Sequence, residues 1–489
     1  MKPDSRDSRH IWVILAAVVA VFLAVSAQSF WIDEANTARF AVVPNLTEWV
    51  HMMLTDRGGS DPQMPFYLFW TWLWEKVFGH GEWALRLAGW PWLAAGIAVF
   101  GWRKPAFAAV CALSAFIWFY ADEARPYAMQ AGLALALMRA AMTLAEGKLE
   151  RRAEIFWQFV FIISGTLLAM SHLLGMFWTA AYWGFCLICV PDLRRSENLK
   201  KTGWAWLGAL FLLGATAYYY LWTLKMGLRG TDAGVTDLRN VFYDLYELLG
   251  LSGLGPGRLE IREDGLTAFR PFALPLGFAV LVTLPLLGVG FVMLLRRLGL
   301  KKAVLLCAAM GGAALFILGV GVEKHFRVLA RHLTPLLPVI LWLLAAGAER
   351  LWQRRGLPGK ATVTAAALLA AVSCLEIHGA ARHAKDDYRS AAAVANAALK
   401  RDQTVWWNAD ASAAGYYHVP LGDLNVAAPG RATRVVNPPA AWPDAPPRPD
   451  FIISSKPDLY DEQGGVQRFA VTNGYHISQV FAAFKVWQK

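Results

Sequence analysis

Charged side chains are scarce in this chain: they make up 17% of its 489 residues, whereas hydrophobic residues make up 56%. An ordinary soluble domain carries about 25% charged residues. Apolar runs of about 18 residues follow one another along most of the sequence, and each is long enough to cross a bilayer. The composition excludes an ordinary soluble enzyme and predicts an α-helical polytopic membrane protein.

Cysteine is missing from every polar stretch. Because no cysteine is available in an exposed loop, the sequence excludes an extracellular disulfide framework. Two cysteines have redox-motif spacing but no polar neighbours, so they are interpreted as packing residues. All five cysteines lie inside apolar runs: Cys111, Cys186, Cys189, Cys307 and Cys374.

Signatures of a nucleotide site and of a metal site are also missing. The glycine-rich stretch 250–257 resembles a phosphate cradle, but no strand precedes it and no Lys-Ser/Thr follows, so a flexible connector is favoured. Asp61 and Asp33 are candidates for a divalent ion (Mg, Mn or Zn). Neither His nor Cys accompanies Asp61 at ligand spacing, so no metal ligand is assigned.

The charge that is present is unevenly placed. The net charge is +11, and nucleic acid would be the first partner to consider. The basic residues, however, cluster at alternate ends of the apolar runs, which is the positive-inside pattern and places the N-terminus in the cytoplasm. The excess charge therefore needs no nucleic acid. The clusters are Lys2/Arg6/Arg9, Arg103/Lys104, Lys148/Arg151/Arg152, Arg194/Arg195/Lys200/Lys201, Arg296/Arg297/Lys301/Lys302 and Arg350/Arg354/Arg355/Lys360.

The apolar runs predict about eleven transmembrane helices. The first, 11–28, also fits a cleavable signal peptide, but a retained helix is favoured. Residues 64–78 are read as an interfacial helix, because counting them as a span would invert every later basic cluster. The predicted spans are 11–28, 83–102, 105–120, 126–145, 154–171, 173–190, 203–224, 271–295, 303–320, 333–348 and 361–378.

Two domains are predicted. The first, 1–378, is the membrane module, with outer loops 29–82 (carrying interfacial helices) and 225–270; the latter holds an amphipathic piece at 238–251. The second, 379–489, is polar and Pro-bearing, and is predicted to be a small α/β domain outside the membrane. Its predicted elements are a helix at 389–400 and strands at 404–408 and 451–455.

Asp33 and Glu34 stand where the first apolar segment ends, among aromatic residues. A carboxylate that is partly desolvated there can serve as a general base. An isolated pair of this kind is more often a solvated helix cap. Cations and polar motifs predicted at the same outer face favour the functional interpretation.

The first of these cations is Arg125, in Ala124-Arg125-Pro126-Tyr127. A guanidinium at headgroup depth suits bidentate binding of a lipid phosphate, although it also fits a snorkelling side chain. A second group fills a nine-residue outer turn, where the positive-inside rule predicts few cations; general attraction to anionic headgroups is the alternative. Its members are Lys324, His325, Arg327, Arg331 and His332.

In their order, these motifs resemble the GT-C glycosyltransferases, in the branch of protein O-mannosyltransferases and aminoarabinose-to-lipid-A transferases. The resemblance covers residues 1–350. Gln63-Met64 and His332 depart from the family pattern. The motifs are Asp33-Glu34, Asp61-Pro62-Gln63-Met64-Pro65-Phe66-Tyr67, Phe78-Gly79 with Arg86-Leu87, Ala124-Arg125-Pro126-Tyr127, and Arg331-His332-Leu333-Thr334-Pro335.

The resemblance implies a membrane glycosyltransferase that moves a sugar from a polyprenyl-phosphate donor, such as an undecaprenyl phosphate one, to a glycolipid, polysaccharide or protein at the outer face of the bacterial cytoplasmic membrane. Asp33 would be the base of an inverting transfer, and Glu34 would orient the site. The cations Arg125 and Lys324 to His332, with Tyr127, would hold the donor phosphate. Asp61, Gln63, Tyr67 and Arg86 would form the acceptor or sugar site.

Two other classes of protein would account for some of the same sequence features. A flippase of lipid-linked glycans would also use outward cations, but transporters usually show internal repeats and polar residues at the membrane midplane. The chain has no apparent repeat, so this class is disfavoured. A ligase of lipid-linked oligosaccharides would not need the early Asp33-Glu34 pair.

Overall fold

The computed structural model describes residues 5–489 except 57–60, 148, 191–192, 194–195, 226–234, 355, 440–441 and 443–444. Several residues named above lie outside this set: Lys2, Lys148, Arg194, Arg195, Arg355 and parts of the predicted loops 29–82 and 225–270. The described chain divides into two compact units. One comprises Met1–Val25, Pro44–Val77 and Arg86–His383, and the other Ser26–Val43, Phe78–Leu85 and Ala384–Lys489.

The first unit is helical. Its helices up to the middle of the chain are α1 (Ser5–Phe22), α3 (Leu46–Thr55), α4 (Pro65–Phe78), α5 (Glu82–Arg86), α6 (Trp90–Gly101), α7 (Pro105–Ala112), α8 (Ala115–Ala121), α9 (Tyr127–Glu146), α10 (Arg151–Ser171), α11 (Leu173–Cys189) and α12 (Ser196–Lys225). The last residue of α4, Phe78, and all of α5 except Arg86 belong to the second unit. The remainder are α13 (Leu238–Leu248), α14 (Arg258–Asp264), α15 (Ala273–Leu298), α16 (Leu300–Glu323), α17 (Leu337–Gln353) and α18 (Leu357–Gly379).

Within the described residues, eight helical segments are long and apolar enough to cross a membrane, and α11 and the apolar part of α1 are shorter. The polytopic helical class is therefore confirmed, whereas the count of eleven is not. The predicted span 105–120 is wrong as one helix, because it is divided into α7 and α8. The side chain of Ser114 accepts a hydrogen bond from the Ile117 amide and starts the second helix. The helix predicted at 64–78 is present as α4, Pro65–Phe78, and it is not among the eight; its interfacial location stays a prediction.

Helix α9 lies at the centre of this unit and is almost wholly buried. It is rich in Ala, Leu and Met, and ends at Gly147, whose φ of 67° suits glycine. Helices α6 and α9 approach closely where Gly96 faces Gly132, since a Cβ on Gly96 would come within 2.2 Å of the Gly132 carbonyl oxygen. Small residues at such crossings are typical of helix packing in membranes.

The second unit contains helices α2 (Ile32–Ala41), α19 (Tyr388–Leu399), α20 (Ala411–Tyr416), α21 (Pro457–Tyr460) and α22 (Gly465–Thr472). Its strands are β1 (Val405–Asn408), β2 (Leu421–Leu424), β3 (Ala432–Arg434), β4 (Phe451–Ser455), β5 (His476–Phe481) and β6 (Phe484–Gln488). They form one sheet in the order β2-β3-β1-β4-β6-β5. The first four are parallel, and β6 runs antiparallel to β4 and β5.

Strand β1 lies in the interior of the sheet between β3 and β4, and all four of its residues are buried. Trp406 pairs in register with Ile452 of β4, and both lie in an apolar core with Val466 and Ala470 of α22. Helix α19 packs against β1, β4 and β6. The small C-terminal α/β fold is thus confirmed, and its predicted helix and two strands are present to within one residue at each end.

Candidate active site

In the first unit, Arg125 is held by a carboxylate. Its Nη1 lies 2.7 Å from Asp61 Oδ1, and both residues are buried. Asp61 opens a short 3₁₀ turn, Asp61–Gln63, and Tyr219 of α12 donates a hydrogen bond to the Pro62 carbonyl at 2.9 Å. Because charges are rarely buried without a partner, the turn and the Ala124-Arg125-Pro126 segment fix each other.

Tyr127, Arg331 and His332 gather near Arg125. The Arg331 guanidinium lies 5.5 Å from the centre of the Tyr127 ring. The His332 imidazole lies 6.4 Å from that of His172, which joins α10 to α11. Burial lowers the pKa of His172 to about 3, with contributions from Arg125 and Arg331, so its imidazole is neutral. Sequence reasoning missed His172 because a lone histidine between apolar runs carries no pattern.

The basic turn 324–332 divides into two parts. Lys324, His325 and Arg327 are exposed, whereas Arg331 and His332 are half-buried. His325 has a φ of 53°, which turns the chain after α16. The structure thus groups Arg331 and His332 with Arg125, while the first three residues face outward.

The remaining predicted acceptor residues lie in different surroundings. Arg86 is fully buried, and its Nε lies 3.8 Å from Asp122 Oδ1. Tyr67 is buried in α4, and Gln63 is half-buried at the end of its 3₁₀ turn. The carboxylate beside Arg86 thus lies only three residues before Arg125 in the chain.

A second arginine network was missed by the sequence reasoning. The Arg258 guanidinium donates to the Tyr120 hydroxyl at 2.8 Å and to Glu247 Oε1 at 3.2 Å, and it lies 3.7 Å from Glu123 Oε1. It also stands 3.9 Å from the centre of the Phe119 ring. The position of Arg258 beside glycines made it look like part of a connector.

The interpretation of 250–257 as a flexible connector is wrong. The Gly253 amide donates to Ser373 Oγ, and Arg382 donates to the carbonyls of Gly253 and Gly255. A Cβ on Gly253 would come within 1.9 Å of the Ser373 carbonyl oxygen. The glycines are therefore required by close packing against α18 and the residues after it.

An apolar cavity of about 410 Å³ lies between α7, α13, α15, α17 and α18 in this unit. Its walls include Ala109, Leu286, Leu341 and Ala366, and Ser114, Gly250 and Trp352 also line it. Ser114 begins α8, which carries Tyr120 about 9 Å further along its axis. An apolar groove of this kind suits a hydrocarbon chain.

In the second unit, Asp33 and Glu34 have different environments although they are adjacent. Glu34 is fully buried and lies 3.3 Å from Lys385 Nζ, and its other oxygen accepts the Trp31 amide at 3.4 Å. Asp33 is only half-buried in the first turn of α2. Of the two, Asp33 is therefore the more accessible carboxylate.

No group of three or more His, Cys, Asp or Glu side chains placed to hold a metal ion occurs among the described residues. The carboxylates are instead engaged by arginine and lysine: Asp61 by Arg125, Glu34 by Lys385 and Glu247 by Arg258.

No protein-family model matches the sequence, and no curated protein sequence matches it. The structure, however, superposes on apo ArnT from Cupriavidus metallidurans with a TM-score of 0.52, at 13% identity, over 98% of this chain and 97% of that one. The chain has the ArnT fold. This likeness shows the fold alone. Membership of the GT-C glycosyltransferases and the choice of branch stay predictions.

Two further structures are similar to a lesser degree. ArnT from C. metallidurans bound to undecaprenyl phosphate superposes with a TM-score of 0.47 at 12% identity, over the same shares of both chains. The oligosaccharyltransferase AglB from Archaeoglobus fulgidus, in complex with an inhibitory peptide and a dolichol-phosphate, has a TM-score of 0.40 at 12% identity. That match covers 90% of this chain and 61% of AglB.

Proposed function

We propose that this protein is a glycosyltransferase of the bacterial cytoplasmic membrane that moves a sugar from a polyprenyl-phosphate donor to an acceptor hydroxyl at the outer face. The observation that carries the proposal is that the two adjacent carboxylates differ in their surroundings. Glu34 is buried against Lys385, whereas Asp33 is half-exposed at the start of α2. The ArnT fold supports the proposal.

In the proposed reaction, Asp33 accepts the proton of the acceptor hydroxyl while that oxygen forms a bond to the anomeric carbon. The bond between the anomeric carbon and the phosphate oxygen breaks, and its electron pair leaves with the lipid phosphate. Because attack and departure take place on opposite sides, the anomeric configuration inverts. Glycosyl phosphates need no further co-reactant for this displacement.

Arg125, Arg331 and Tyr127 are the proposed ligands of the donor phosphate. Negative charge grows on the phosphate as it leaves, and buried cations that are already in place stabilise that charge most effectively. Arg125 is paired with Asp61, which partly offsets its charge and holds the guanidinium in place. His332, Lys324, His325 and Arg327 remain proposed contributors, the last three from the exposed part of their turn.

The apolar cavity is the proposed site of the donor's prenyl chain. It is lined largely by Ala, Val and Leu of α7, α15, α17 and α18, and Ser114, which precedes the helix that carries Tyr120, also lines it. Hydrophobic burial along such a groove contributes about 0.8 kcal/mol per CH₂. Gln63, Tyr67 and Arg86 remain the proposed acceptor or sugar residues.

The test is an assay in membrane vesicles with a polyprenyl-phosphate donor radiolabelled in the sugar. Transfer of label to an envelope glycolipid, glycan or protein, with release of polyprenyl phosphate, is the expected result. Movement of intact labelled donor across the vesicle membrane without sugar release would instead identify a flippase and would overturn the proposal.

A further inference from the structure

Two consecutive residues at the start of the C-terminal domain form buried ion pairs in two directions. Lys385 contacts Glu34 of α2 at 3.3 Å, and Asp386 contacts Lys456, the residue that follows β4. All four side chains are at least nine-tenths buried. The pairs therefore connect the helix that carries Asp33 with the carboxyl end of a central strand of the sheet.

Lys456 holds an unusual backbone conformation. Its φ of 44° lies in the left-handed region, which residues other than glycine rarely occupy. Such a conformation persists where the surroundings over-determine it, and it is common at functional sites. The Lys456 ammonium also lies 5.8 Å from the centre of the Trp31 ring, and Trp31 is the residue directly before α2.

Further hydrogen bonds tie the same loop to the domain. The Phe30 amide donates to the Tyr417 hydroxyl at 2.7 Å, and the Lys385 amide donates to Gln28 Oε1 at 3.0 Å. Burial raises the pKa of Tyr417 to about 12, so this hydroxyl keeps its proton and also donates to Glu82 at 3.1 Å. Helix α2 packs on α20, whose N-cap is Asp410.

We propose that Lys385 and Lys456 are positioning residues for Asp33, so that buried side chains of the C-terminal α/β domain hold the proposed base in place. The inference rests on the proposed function. It gives the domain a role in catalysis, because buried charged residues of the domain contact α2 and the residue before it. Lys385 fixes Glu34, and Lys456, through Asp386 and Trp31, fixes the residue from which α2 starts.

The first experiment uses the full chain in nanodiscs and two readouts. For Lys456→Met, kcat should fall by about tenfold or more while the KM for the polyprenyl-phosphate donor stays within about twofold, because a displaced base slows chemistry without weakening donor binding. Lys456→Arg should recover most of the kcat. The matched control is Lys485→Met, at an exposed position of β6.

The second readout is amide hydrogen exchange across residues 28–41, which does not depend on activity. Exchange of α2 should rise in Lys456→Met and in Lys385→Met, and it should return toward wild type in the swapped pair Asp386→Lys/Lys456→Asp. If Lys456→Met fails to fold, Lys456→Gln takes its place in both experiments. If the wild type transfers sugar and the variants have the same kcat and the same exchange of α2 as the wild type, the inference is overturned. Raised exchange with no sugar transfer by the wild type would leave the positioning role standing and refute the proposed function.

Discussion

Glu34 and Lys385 are 351 positions apart in the chain, yet their side chains form an ion pair at 3.3 Å in which both are buried. One stands in the first turn of α2 and the other just before α19. The pair explains why one member of the Asp33-Glu34 motif is inaccessible. It also predicts how each member responds to substitution.

Glu34→Gln should destabilise the second unit by about 3 kcal/mol, since it removes the carboxylate that the buried Lys385 ammonium contacts. The double variant Glu34→Gln/Lys385→Met should recover much of this loss, because neither charge is then buried. Thermal unfolding in detergent, followed by circular dichroism, measures both effects. Equal stability of the single variant and the wild type would show that the pair contributes nothing.

Substitutions of Arg125 and Asp61 should have separable effects on stability and on donor binding. Arg125→Gln should lower the free energy of unfolding by about 3 kcal/mol and raise the donor KM by about tenfold, since it removes a buried cation. Arg125→Gln/Asp61→Asn should restore stability but not donor affinity. Arg151→Gln, at an exposed helix start, is the control. If the double variant recovers donor affinity together with stability, Arg125 does not bind the donor phosphate.

The apolar cavity predicts a steric effect on long-chain donors. Ala366→Trp fills space between α18 and its neighbours, and should raise the KM for a long prenyl donor more than the KM for a short-chain analogue. Ala361→Trp, at an exposed position of the same helix, is the matched control. Equal effects on donors of both lengths would place the prenyl chain elsewhere.

Asp244 on α13 should make stability depend on pH. Burial, followed by the charge of Glu247, raises its pKa from 3.8 to about 8. Between these values the folded chain keeps a proton that the unfolded chain has lost, so stability falls as pH rises, by at most about 1.4 kcal/mol per pH unit. Melting temperatures at pH 5 and pH 8 should therefore differ less in Asp244→Asn than in the wild type. The control is Asp264→Asn; a pH response in Asp244→Asn equal to that of the wild type would contradict the assignment.

Much of the fold was predictable, because long apolar runs and alternating basic clusters are direct consequences of the bilayer. The C-terminal strands 405–408 and 451–455 were also predictable, since buried central strands read as continuous apolar runs. Strands β2, β3, β5 and β6 were not: β2 and β5 are exposed edge strands, β3 has only three residues, and β6 carries no long apolar run.

The site was predictable in its residue types but not in its pairings. The motifs pointed to Arg125 and Asp61 separately, and no sequence pattern joins residues 64 positions apart into an ion pair. No role was predicted for Arg258 or Lys456. Arg258 follows a glycine-rich stretch that looked like a connector, and Lys456 follows a short strand. Their roles depend on tertiary contacts that a single sequence does not encode locally.

The most direct test of the account is Asp33→Asn in a single-turnover assay with a polyprenyl-phosphate sugar donor in vesicles. The variant keeps the size and hydrogen-bonding capacity of the side chain but cannot accept a proton. Sugar transfer should slow by about a hundredfold or more, with donor binding unchanged, while the exposed control Asp423→Asn should match the wild type. Transfer by Asp33→Asn at the wild-type rate would contradict the central claim.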